Sequence, residues 1–172
     1  ERAPEMERLA RAALEVNVSL AYNGAARWVL AAAHLLRGDL KEAEAEARLA
    51  QELFSSSVPP YSLGVLVLLT KILRRQGRIA EASAVMVEAL AMIEKLGGAG
   101  CSEVPVCVAA AEAFHAVGDV EGARAVLKRA LHQIELRASR IPDPAVRERY
   151  LTQRPENARA VELSRAWLNA GA

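Results

Sequence analysis

Apolar and polar residues recur along most of the chain with the spacing of α-helices. The segment from Glu5 to Leu14 is amphipathic with a helical period. Further helices are expected before and after three short stretches that each begin with glycine, at about 23–37, 40–54, 61–76, 79–96, 103–117 and 120–137. Two more are expected near the C-terminus, at about 144–152 and 156–170. The pattern therefore predicts an all-α protein.

The glycine stretches repeat. Each has glycine, a polar residue, an aliphatic residue, two variable residues and alanine, and another alanine follows seven positions later. The glycines are 39 and 41 residues apart. The matched positions are Gly38, Gly77 and Gly118; Leu40, Ile79 and Val120; Ala43, Ala82 and Ala123; and Ala50, Ala89 and Ala130. A period of this length is typical of stacked supersecondary units.

Each repeat is predicted to be a helical hairpin. The glycine would end the first helix in the left-handed conformation, which a Cβ disfavours. Asp39 and Asp119 can cap the second helix, whereas Arg78 cannot. The aliphatic residue would anchor the turn in the core. The two alanines lie on one face of the second helix, where small side chains let a neighbouring helix approach closely.

These residues resemble the tetratricopeptide repeat (TPR) family. A large residue precedes each glycine by four positions (His34, Leu73, Phe114), although the family's first-helix tryptophan and closing proline are missing. The resemblance implies an α-α superhelix, a TPR-like solenoid of about three hairpins at 23–54, 61–96 and 103–137. Residues 1–20 would be a partial repeat within a TPR-like array spanning 1–140, and 141–172 would be capping helices. We expect the chain to be cut from a longer protein.

Residues 141–172 resemble the segment that closes the TPR arrays of large bacterial signalling proteins, such as serine/threonine protein kinases and ATPase-linked regulators. An arginine-rich, lysine-poor, alanine-rich composition also suits a high-GC bacterium. The chain has 35 alanines, 18 arginines and 4 lysines. No signal peptide is visible, and a reducing cytoplasm is the expected compartment.

The charge balance does not favour a nucleic acid or an anionic membrane as partner. Lysine and arginine number 22 against 21 acidic residues, which gives a net charge of +1. The longest apolar run, Leu63 to Leu69, is far too short to cross a bilayer. Cys101 and Cys107 are interpreted as reduced thiols, with a local disulfide or redox pair as the alternative.

The sequence predicts no catalytic, cofactor or metal site. His34, His115 and His132 are far apart, and the loop Gly97–Gly100 lacks the lysine and hydroxyl that a phosphate site needs. Glu42, Glu44 and Glu46 are interpreted as a solvated helix face rather than an acid–base pair.

The family resemblance implies that the first helices line a concave surface that binds a protein or peptide. Ala25, Gly64 and Pro105 occupy the first matched position of this surface in the three repeats. Trp28 and Leu35 are an apolar anchor in this prediction, and Lys71, Arg74 and Arg75 could receive an acidic peptide or a carboxylate. The full predicted groove is Trp28, Leu35, Val67, Lys71, Arg74, Arg75, Glu112 and His115. The alternative is that the arginines are a solvated helix end beside the C-terminal dipole.

The function predicted from these features is a non-catalytic interaction or scaffold module, the regulatory segment of a larger bacterial signalling protein of the serine/threonine kinase type. One alternative is a self-association module of an ATPase-linked transcriptional regulator, with dimers forming through exposed ends of the array. The other is an enzyme whose site the sequence does not reveal.

Overall fold

The structure, a computed structural model, describes residues 2–168. In that range it contains nine α-helices and one 3₁₀ turn, Gly100–Ser102, between α5 and α6. The helices are α1 Arg2–Val16, α2 Leu20–Arg37, α3 Leu40–Ser57, α4 Pro59–Arg75, α5 Ile79–Lys95, α6 Glu103–Ala116, α7 Val120–Ala138, α8 Pro144–Gln153 and α9 Pro155–Trp167. The all-α prediction is confirmed. Among residues 2–168, no helix combines the length and the hydropathy needed to cross a bilayer.

The chain divides between Met92 and Ile93 into two compact units. In the first unit, helices that follow one another in sequence pack together: α1 on α2, α2 on α3 and α3 on α4. The two first helices α2 and α4 also contact each other. In the second unit α6 packs on α7, and α9 packs on both of these helices and on α8.

Alanines form buried packing surfaces between helices, as the sequence predicts. All six matched alanines are completely buried. In the first unit, small residues of α3 meet larger side chains of α4 in a cluster that consists of Ala31, Ala43, Ala47, Ala50, Phe54, Val65, Leu69, Ile72, Leu73 and Ala82. A methyl group at these positions leaves room for the neighbouring helix, and the leucines and isoleucine of α4 share one buried cluster with the alanines of α3.

The three repeat glycines adopt the predicted left-handed conformation. Their φ angles are 89° at Gly38, 78° at Gly77 and 88° at Gly118. In each turn, the amide of the following residue donates to the carbonyl four residues before the glycine, at 2.9–3.0 Å. This bond closes the preceding helix and turns the chain towards the next one.

Two predictions about these turns are wrong in detail. Asp119 caps α7 by accepting from the Gly122 amide at 2.9 Å, but Asp39 makes no side-chain cap because its carboxylate accepts from Arg37 Nε at 2.8 Å. Leu40 and Ile79 are half-buried as expected, whereas Val120 is 40% exposed and does not anchor its turn in the core.

Several helix ends differ from the predicted ones by one to three residues. α2 begins at Leu20 because Ser19 accepts from the Tyr22 amide at 3.3 Å and caps the helix. α4 begins at Pro59, since proline fits the first turn of a helix, where its missing N–H is not needed. α9 begins at Pro155 for the same reason.

Replacing Ala43 with leucine tests the alanine packing. The larger side chain has no space between α3 and its neighbours, so we expect a loss of about 1–3 kcal/mol in unfolding free energy. Ala45→Leu is the matched control, because Ala45 lies on the exposed side of the same helix and should change stability by less than about 0.5 kcal/mol. Urea unfolding followed by circular dichroism measures both variants, and equal midpoints would contradict the packing described.

Candidate functional site

The helices α2 and α4 lie side by side and run in the same direction. Three contacts join them and the turns that follow them, and these contacts occur in the same order along both segments. The Trp28 ring lies against Gly64, Arg75 Nη1 donates to the Leu35 carbonyl at 3.0 Å, and Gln76 Nε2 donates to the Leu40 carbonyl at 3.1 Å. The first helices α2 and α4 of the first unit therefore pack side by side.

Trp28 depends on the absence of a side chain at Gly64. A Cβ built on Gly64 would lie 2.7 Å from both Cη2 and Cζ2 of the indole, well inside van der Waals contact. The glycine thus lets the ring lie against the α4 backbone. The indole is still 37% exposed, so one part of the ring packs on α4 and the remainder faces solvent.

Basic side chains follow Gly64 along α4. Positions 64, 67, 71 and 75 recur every three or four residues and share one face of the helix. Lys71 and Arg75 are exposed, and Arg74 is half-buried. We call the set Trp28, Leu35, Val67, Lys71, Arg74 and Arg75 the α2–α4 surface. It combines an aromatic ring near the beginning of α4 with cations near its end.

The aliphatic members of the α2–α4 surface belong partly to the interior. Leu35 is half-buried and packs against the alanine-rich core cluster. Val67 is also half-buried. These two side chains therefore support the surface and offer a partner only part of their area, whereas Trp28, Lys71 and Arg75 are exposed.

Two carboxylates that were predicted to be solvated form ion pairs instead. Glu44 accepts from Arg48 at 2.7 Å, from Gln76 at 3.0 Å and from Arg78 at 2.5 Å. Partial burial tends to raise the pKa of this carboxyl, but the hydrogen bonds outweigh burial and hold the pKa below its ordinary value. Glu46 is half-buried and accepts from Arg27 at 2.8 Å. Only Glu42 of the three is exposed.

The remaining predicted groove residues, Glu112 and His115, lie on α6 in the second unit, where α9 contacts both of them. Arg159 Nε donates to Glu112 at 2.6 Å. The His115 ring stacks on Trp167 with 4.1 Å between centroids and 2° between planes. These contacts with the C-terminal helix were not predicted, since Arg159 and Trp167 are 47 and 52 positions away in the sequence.

The cysteines do not assemble into a reactive group. Cys101 and Cys107 are both free thiols, the first exposed and the second buried. Burial raises the pKa of the Cys107 thiol to about 11, which keeps it protonated near neutral pH. Within residues 2–168, no three His, Cys, Asp or Glu side chains come together in a way that could hold a metal ion.

Comparison of the coordinates with solved structures identifies the kind of repeat. The chain is similar to the crystal structure of a protein described as a Podosopora anserina kinesin light chain with nearly identical TPR-like repeats, with a TM-score of 0.62 and 18% identity over 99% of this chain and 88% of that chain. The fold is that of a TPR-like repeat array. A single-residue variant of the same protein gives a TM-score of 0.62 and 18% identity over 95% of this chain and 84% of that one.

At this identity the TPR-like likeness concerns the fold alone. No family model matches the sequence, and no curated protein matches it either. The structural match confirms the predicted TPR-like fold. The α2–α4 surface lies on the first helices of this array.

Replacing Gly64 with alanine tests the contact between the two first helices. Because the new methyl group would overlap the indole, we expect Trp28 to move outward, with a red-shifted emission and stronger quenching by acrylamide. The measurement uses a Trp167→Phe background, since the chain has only two tryptophans. Lys71→Ala is the control on the same helix face. Stability alone is a poor readout, because alanine also favours the helix by about 1 kcal/mol. Unchanged emission would contradict the contact.

Proposed function

We propose that the chain is a protein-interaction module that binds a polypeptide segment on the α2–α4 surface. TPR-like repeats typically bind proteins, and this surface supports such a role because it has an accessible indole next to accessible cations. The observation that carries the proposal is the Trp28 ring, which is 37% exposed and lies against Gly64, on the α4 face that also carries Lys71 and Arg75. Tryptophan, tyrosine and arginine side chains that become buried in an interface most often dominate its binding energy.

The spacing of Gly64 and Lys71 on α4 predicts the spacing of the contact residues in the partner segment. Gly64 and Lys71 are seven residues apart, which corresponds to about 10 Å along a helix. An extended peptide covers that distance in about three residues. The expected segment therefore carries a large apolar residue against Trp28 and, about three positions away, an aspartate or glutamate near Lys71 and Arg75.

A selection from a random peptide library tests this function. We expect the chain to enrich peptides that pair an apolar residue with an acidic one. Trp28→Ala should weaken a selected peptide by about tenfold or more. Lys71→Glu should weaken it by about five- to tenfold, since an attraction is replaced by a repulsion.

Lys41→Glu is the matched control, because it makes the same charge change at an exposed lysine on α3. The peptide should bind this variant as it binds the original chain. Selected peptides without acidic residues, or equal losses for Lys41→Glu and Lys71→Glu, would contradict the assignment of the surface.

A finer proposal concerns the parent protein. The resemblance of residues 141–172 to the end of TPR arrays in large bacterial signalling proteins supports a role as the regulatory segment of a serine/threonine kinase-like protein. The alternative parent is an ATPase-linked transcriptional regulator that uses the array to self-associate. The full reading frame distinguishes these two parents. A kinase domain with a glycine-rich loop and a catalytic Asp would support the first, and an ATPase domain with a phosphate-binding loop would support the second. A reading frame with neither domain would rule out both parents.

A further inference from the structure

Tyr61 is a further aromatic residue of the first unit that faces solvent, and it lies near the beginning of α4, one turn before Gly64. Positions 61, 64, 68, 71 and 75 recur every three or four residues, so Tyr61 shares a face of α4 with Gly64, Lys71 and Arg75. The Tyr61 side chain is 59% exposed. In the part of the chain that the structure describes, its hydroxyl has no hydrogen-bond partner.

The Tyr61 ring is fixed on one side by Phe54 of α3. The two rings meet edge to face, with 5.6 Å between their centroids and 84° between their planes. Phe54 is completely buried, and its ring lies against Gly24 of α2, where a built Cβ would be 3.0 Å from Cε1. Because this buried ring restricts the rotamers of Tyr61, a partner that contacts Tyr61 loses little of its binding energy to ordering that side chain.

These contacts place Tyr61 next to Trp28 along the boundary between α2 and α4. Gly24 precedes Trp28 by about one turn of α2, and Tyr61 precedes Gly64 by about one turn of α4. Phe54 contacts both members of the earlier pair, Gly24 and Tyr61, and the Trp28 indole contacts Gly64. The two exposed rings therefore follow each other along one boundary, separated by about 5 Å along the axis of α4.

We propose that Tyr61 is a further binding residue for the partner of the α2–α4 surface, and that this partner is an extended segment reaching past Trp28. The segment continues beyond its apolar residue on the side away from its acidic residue. There the Tyr61 hydroxyl donates a hydrogen bond to a backbone carbonyl of the segment, and the ring covers the adjacent side chain. This inference rests on the proposed function, since it adds a contact with the same partner.

The extra contact sets a minimum length for the segment. Tyr61 and Lys71 are ten residues apart, which corresponds to about 15 Å along α4. An extended peptide covers that distance in about five residues. The acidic residue is therefore at one end of the contact, the apolar residue lies within it, and the carbonyl that binds Tyr61 is at the other end.

Tyr61→Phe tests the inference, because it removes the hydroxyl and keeps the ring against Phe54. A peptide selected on the original chain should bind this variant about fivefold more weakly, which is the usual effect of losing one hydrogen bond. Tyr61→Ala removes the ring as well and should weaken binding by about tenfold or more. Isothermal titration calorimetry measures the affinities, and thermal unfolding confirms that both variants remain folded.

Tyr22 provides the matched control on the chain. It is 67% exposed, occupies the same position in the preceding repeat, 39 residues earlier, and faces α1. Tyr22→Phe should leave the affinity nearly unchanged. The matched control on the peptide is a shorter one that ends at the apolar residue. It should bind the original chain and Tyr61→Phe equally well, because it has no backbone within reach of the hydroxyl.

Equal binding of the full-length peptide to the original chain and to Tyr61→Phe would overturn the inference. A difference that persists with the shortened peptide, or an equal loss for Tyr22→Phe, would overturn it as well. If Trp28→Ala and Lys71→Glu still weaken the peptide in these cases, the proposed function stands and only the role of Tyr61 is wrong. If the selected peptides do not depend on Trp28, the proposed function and the role of Tyr61 are both wrong.

Discussion

Close approach of helices through alanine is the constraint on which the rest of the first unit depends. Ala43, Ala47 and Ala50 are completely buried against the aliphatic side chains of α4. A methyl group is the smallest side chain that still favours a helix, so alanine combines tight packing with a regular backbone. α3 packs on both α2 and α4, and α2 and α4 also contact each other. The contact between Trp28 and Gly64 is part of this three-helix packing.

The α2–α4 surface uses this geometry. On α4, Gly64 permits the Trp28 ring of α2 to lie against the helix backbone and remain partly accessible. The exposed cations Lys71 and Arg75 lie further along α4. The surface therefore offers a partner both an indole and positive charge.

The local features of the hairpins could be predicted from sequence because they depend on neighbouring residues. The glycines that end the first helices and the alanines seven residues apart are both recognisable in the sequence. The structure confirms the left-handed glycines and the buried alanines. The failures involve contacts that the pattern does not encode. Asp39 does not cap α3 because Arg37 binds its carboxylate, and Glu44 is not solvated because Arg78 reaches it from the next repeat.

The contacts of the candidate site were only partly predictable for the same reason. The family resemblance suggested Trp28 and Lys71 as groove residues. The sequence of α2 or of α4 alone does not indicate that the Trp28 indole packs on Gly64. Likewise, the pairing of His115 with Trp167 joins residues 52 positions apart. Side-chain contacts between helices depend on their register, which a repeat period gives only to within a few residues.

The most direct test of this account is a nuclear Overhauser measurement between Trp28 and Gly64 in the isotope-labelled chain. If the alanines bring the first helices together as described, the indole Hζ2 and Hη2 protons will show strong cross-peaks to the Gly64 Hα protons. Cross-peaks from those indole protons to other residues only, with none to Gly64, would contradict the packing of α2 on α4 and the surface proposed to depend on it.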